Sequence, residues 1–109
     1  MTMHKDLAAG KWFQLSFCEQ MANVGSEIER AISWRSKGRS DFSERAFERA
    51  LELLDLSVAD GKNRLRLGEL LRVREALADH FVFENSYQST ADSWRRYFGA
   101  FLQAVRGAR

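Results

Sequence analysis

Residues 16–36 read SFCEQMANVGSEIERAISWRS, and their pattern decides the fold. Phe17, Met21, Val24, Ile28, Ala31 and Ile32 recur at spacings mostly of three and four, the period of one buried helix face. Just ahead of that stripe, Ser16 and Glu19 stand three apart. The Ser16 hydroxyl can accept from the Glu19 amide while the Glu19 carboxylate reaches back, a capping box that starts a helix. The pattern predicts a helix over 17–36, with Arg35 at the end where a cation suits the helix dipole. Gly25 lies beside the stripe and costs ~1 kcal/mol relative to Ala in a helix. Close approach of another helix would offset that cost.

The same logic extends outward. Lys37-Gly38-Arg39-Ser40 is a turn, with Gly38 suited to the left-handed conformation that ends a helix. Asp41 and Glu44 resemble a second capping box, followed by a wide apolar face: Ala46, Phe47, Ala50, Leu51, Leu53, Leu54 and Val58. Glu44, Arg45, Glu48, Arg49, Glu52 and Asp55 cover the other side. Favourable pairs at i,i+3 and like charges at i,i+4 roughly offset there. Asp60-Gly61 ends this helix, and Asn63 is placed to cap a third over 64–83. The third stripe is Leu67, Leu70, Leu71, Arg74, Leu77, Ala78 and Phe81. After a largely polar loop, Ser89 or Thr90 caps a fourth helix bearing Trp94, Phe98, Phe101, Leu102 and Val105, which ends near Gly107.

Four amphipathic helices joined by short links predict an all-α, up-down-up-down four-helix bundle over residues 16–107. Residues 1–15 are expected as an N-terminal tail, with Trp12, Phe13 and Leu15 able to dock. The chain has 109 residues, enough for one ordinary domain, and no proline to force breaks. Hydrophobic residues are 45% and charged residues 29%, a balance that favours a folded core over disorder. One cysteine, Cys18, can form neither an internal disulfide nor a multi-cysteine metal site. No apolar run has signal-peptide or membrane-spanning length, so a cytoplasmic protein with no membrane partner is expected. With two histidines and no Glu-x-x-His, no metal or cofactor is expected.

Candidate functional residues come from positions that break the pattern. Arg74 falls on the core stripe of the third helix, and a buried guanidinium needs a carboxylate. Glu27, at the same depth on the first helix, is the expected partner for a buried ion pair, with Glu48 or Asp55 as substitutes. Trp12, Trp34, Phe83 and Tyr87 fall off or outside the main stripes. Aromatic side chains left exposed mark association surfaces, so these four predict self-association or a protein partner. Lys62, Arg64, Arg66 and Arg106 gather at one end of the expected bundle, which would suit phosphates if RNA or DNA were the partner. The net charge of +2 is too small to decide that alone.

Two resemblances add to these expectations. Arg74 and His80 with five residues between them resemble the signature of the HEPN superfamily of helical-bundle ribonucleases. That resemblance implies metal-independent RNA cleavage with Arg74 and His80 as the catalytic pair. On an ideal helix the two lie about 120° apart, so they would need to converge across an interface or a bent end. The stretches EQMANVGSEIERAISW, AFERALELLDLSVAD and LLRVREALADHF resemble a family of small bacterial helical-bundle proteins. That resemblance implies a bacterial cytoplasmic origin and a helical fold, and carries no activity. Together these features predict a non-enzymatic interaction or accessory module, with the ribonuclease and the non-catalytic nucleic-acid binder as alternatives.

Overall fold

The computed structural model describes residues 10–107. Among them are four long α-helices, α1 (Phe17–Ser36), α2 (Ser40–Ala59), α3 (Leu67–Phe81) and α4 (Ala91–Gly107). A 3-10 helix at Gly61–Arg66 joins α2 to α3, and no strand occurs among the described residues. Among the described residues no helix is long and apolar enough to cross a membrane. His4 and Arg109 lie outside the described residues.

The capping box at Ser16 and Glu19 forms as expected, with both hydrogen bonds present. The stripe of α1 is buried from Met21 to Ile32, and Gly38 takes φ +75° where the helix ends. The second capping box does not form. The helix starts two residues early, at Ser40, without a side-chain cap, and Asp41 pairs with Arg39 instead. The amide of Phe42 and the Arg39 charge hold the Asp41 carboxyl below its ordinary range despite some desolvation. Thr90 caps α4 through a reciprocal pair with Ser93, at 3.0 Å and 2.9 Å.

The connection before α3 also differs from expectation. Asp60 accepts from the Lys62 amide and turns residues 61–66 into the 3-10 helix. Asn63 is therefore no cap. Its buried side chain donates to Gln20 Oε1 (2.7 Å) and to the Ser57 carbonyl (3.0 Å). Gln20 in turn donates to the Trp12 carbonyl and to Asp60. A buried amide left without partners would cost a few kcal/mol, so this closed network fixes how the ends of α1 and α2 meet.

The core lies around α1. Ala46, Phe47, Ala50 and Leu54 of α2 pack on it from one side, and Trp94 and Phe98 of α4 from the other. Gly25 performs the expected role: a Cβ there would lie 2.6 Å from Phe98 Cβ, so its absence lets α4 seat closely. The Ser43 hydroxyl donates to the Ala31 carbonyl, tying the start of α2 to the second half of α1. Phe17, at the start of α1, contacts Phe101 near the end of α4 and lies under Arg66 ahead of α3. At the other end Arg35 donates to the carbonyl of His80 in the last turn of α3.

Candidate functional site

Arg74 makes its ion pair at the surface. Its Nε donates to Asp55 Oδ1 at 2.8 Å and its Nη2 to Oδ2 at 3.4 Å, with both side chains about half exposed. The buried Arg74–Glu27 pair does not form. The α3 helix turns Leu70, Val73 and Leu77 to the core, a face centred on Val73 and Leu77 rather than on Arg74, and leaves Arg74 on the seam with α2. Asp55, one of the substitutes, is the partner. Glu27 instead faces Arg30 and Arg49, at 3.6 Å and 3.4 Å.

His80 faces the other way. Its ring stands edge-on to Phe81 and 6.5 Å from Trp94. His80 Nδ1 and Trp94 Nε1 are both buried without a hydrogen-bond partner. Burial pushes the imidazole pKa below its ordinary value, and the Arg35 charge adds to this; Asn85, Ser89 and Asp79 offset only part. Arg74 engages α2 while His80 lies against α1 and α4. The single chain therefore does not bring together the pair that the ribonuclease resemblance requires. Cys18 is half-buried, and among the described residues no cluster of three His, Cys, Asp or Glu could hold a metal ion.

The basic end is partly neutralised by its own fold. Lys62 donates to the Phe13 carbonyl and pairs with Asp60. Arg66 pairs with Glu69 at 2.7 Å and lies over the Phe17 ring. Glu69 also accepts from the Tyr97 hydroxyl at 2.7 Å. Burial alone would raise the Glu69 carboxyl, but the bonds from Tyr97 and Arg66 outweigh it and hold the group low. Arg64 and Arg106 remain exposed.

The four aromatics of the expected association surface divide into two groups. Trp12 is no surface residue: it is 6% exposed, and its indole donates to the buried Ser57 hydroxyl at 3.0 Å. The segment from Lys11 to Leu15 thus docks on the bundle. Trp34 is half-buried against Phe42, with Lys37 over its ring. Phe83 and Tyr87 are 71% and 59% exposed, and Val82 beside them is 60% exposed.

These three sit on a loop that the backbone holds firmly. The buried Asp79 carboxylate accepts from the amides of Ser86 (2.8 Å) and Tyr87 (3.0 Å). Asn85 accepts from the Ser89 amide and donates to the Ser89 carbonyl. Asn85 and Gln88 take φ +56° and +55°, a left-handed conformation rare outside glycine and less costly for Asn. The Tyr87 hydroxyl donates to Glu75. Sequence reasoning found Phe83 and Tyr87 but missed Asp79, whose only signal was a lone acid near a helix end before a polar loop.

No family model, no curated protein and no solved structure matches this chain.

Proposed function

We propose that this protein is a non-enzymatic interaction or accessory module that self-associates through the end carrying Phe83 and Tyr87. One observation carries this: three large apolar side chains stand in solvent on a loop fixed by Asp79 and Asn85. A loop already ordered loses little conformational entropy on binding, which favours a contact surface over an accidental exposure. The same reading takes the four helices as an up-down-up-down bundle. The meeting of Phe17 with Phe101, and of Arg35 with His80, supports it. It also takes the setting as a bacterial cytoplasm, which suits a chain with one cysteine.

Size exclusion with light scattering tests the proposal. Wild type should run as a defined oligomer, and Phe83→Ser with Tyr87→Ser as a monomer with an unchanged helical spectrum. A wild-type monomer throughout the micromolar range would overturn self-association. A nucleic-acid-binding role is the second reading, favoured by exposed Arg64 and Arg106. It predicts co-eluting nucleic acid that added salt removes.

A further inference from the structure

We propose that the groove between α2 and α3 docks a basic amphipathic helix of a partner protein. This surface adjoins the Phe83–Tyr87 end at Val82 and does not depend on self-association. The α3 helix carries two apolar faces. Leu70, Val73, Leu77 and Phe81 point into the core. Leu71, 49% exposed, Ala78, half-buried, and Val82, 60% exposed, form a second face. With a 100° step per residue, those three fall within about 40° of one another, on the side of Arg74. The Arg74–Asp55 bond places that face along the seam with α2. At the upper end of the seam lies an open cleft of about 390 Å³, with Phe47, Phe81 and Val82 among its lining residues.

The charge on the facing wall selects the occupant. Glu44, Glu48 and Glu52 stand one turn apart on α2 and bracket Asp55 by the same 100° step. Glu44 and Glu48 also line the cleft. Cations available at i,i+3 turn elsewhere: Arg45 lies over Phe42 and Arg49 pairs with Glu27. Glu44, Glu48 and Glu52 are exposed and make no ion pair among the described residues. Like charges at i,i+4 disfavour the free helix, and an incoming row of cations at the same pitch would relieve that. A helix lying along the groove presents Lys or Arg at i, i+4 and i+8 while its apolar face covers Leu71, Ala78 and Val82. A second copy on this face would set glutamate rows against each other across a two-fold axis, and nucleic acid would be repelled.

The test uses a fluorescein-labelled synthetic helix of about 18 residues, built of Leu and Lys with Leu at the i, i+3, i+4, i+7 positions. Fluorescence anisotropy at physiological salt compares it with a scrambled peptide of identical composition. The amphipathic peptide should bind wild type at least roughly tenfold more tightly than the scramble. Leu71→Ser should weaken binding by a similar factor, as should Glu44→Lys with Glu48→Lys. Phe83→Ser should leave it unchanged. Circular dichroism checks each variant, and Glu44→Gln with Glu48→Gln replaces the charge reversal if that variant unfolds. Equal binding of the scramble, equal binding by the groove variants, or no binding to wild type would overturn the proposal.

Discussion

The indole of Trp12 donates to the Ser57 hydroxyl across forty-five residues of sequence, at 3.0 Å and out of reach of solvent. The Ser57 hydroxyl in turn donates to the Leu53 carbonyl one turn back. The N-terminal segment is thereby bolted to the last turns of α2. Trp12→Phe keeps most of the ring and loses the bond, and should cost about 1 kcal/mol. Trp12→Ala also empties a core position and should cost about 3–5 kcal/mol. Urea unfolding followed by circular dichroism separates the two; equal costs would mean that the packing of the ring contributes nothing beyond the hydrogen bond.

The close seat of α4 on α1 depends on a missing side chain. Gly25→Ala puts a methyl 2.6 Å from Phe98 Cβ, a distance at which something must shift. The helix-propensity gain of ~1 kcal/mol is set against overpacking of about 1–3 kcal/mol. Thermal unfolding should show a net loss that persists with Phe98→Ala in the same chain, because alanine keeps that Cβ, and disappears with Phe98→Gly. A higher melting temperature for the single Gly25→Ala variant would show that α4 rides freely over that position.

Acidification should weaken the fold through His80. Its folded pKa lies below the ordinary 6.5, so the unfolded chain takes up the extra proton. This contribution is fully present above pH 6.5 and is lost as pH falls through the folded value. Asp60 and Glu69, both held low, add a similar loss only at more acidic pH. Urea midpoints measured from pH 7.5 down to 5 should therefore fall in wild type and stay flatter in His80→Gln. Parallel curves for the two proteins would remove His80 from the account.

The Arg74–Asp55 pair should matter little to stability. Exposed pairs are typically worth about 0–1 kcal/mol. A double-mutant cycle with Arg74→Ala and Asp55→Ala should give a coupling energy in that range. A coupling of several kcal/mol would mean that the guanidinium is shielded in solution.

The helices were legible because their signals are local. The capping box at Ser16, the stripe from Met21 to Ile32, the left-handed Gly38 and the cap at Thr90 each need only a few neighbouring residues. The larger errors came from long-range contacts. Nothing in the sequence around Asn63 announces that its amide will meet Gln20, forty-three residues away, and draw the chain into a 3-10 turn. That turn shifted the start of α3. Burial of Trp12 was hidden for the same reason, since its partner Ser57 is distant. Exposure of Phe83 and Tyr87 could be foreseen because both lie outside any stripe.

The loop after α3 has a further consequence for protein engineering. Two left-handed residues, Asn85 and Gln88, and a carboxylate that grips two amides leave the backbone few other shapes. Foreign peptides spliced in between Glu84 and Ser89 should therefore ruin expression. The same peptides placed at Lys37–Arg39, an exposed turn whose left-handed position is a glycine, should be carried without harm. Both bends join successive helices, yet only one is a permissive splice site.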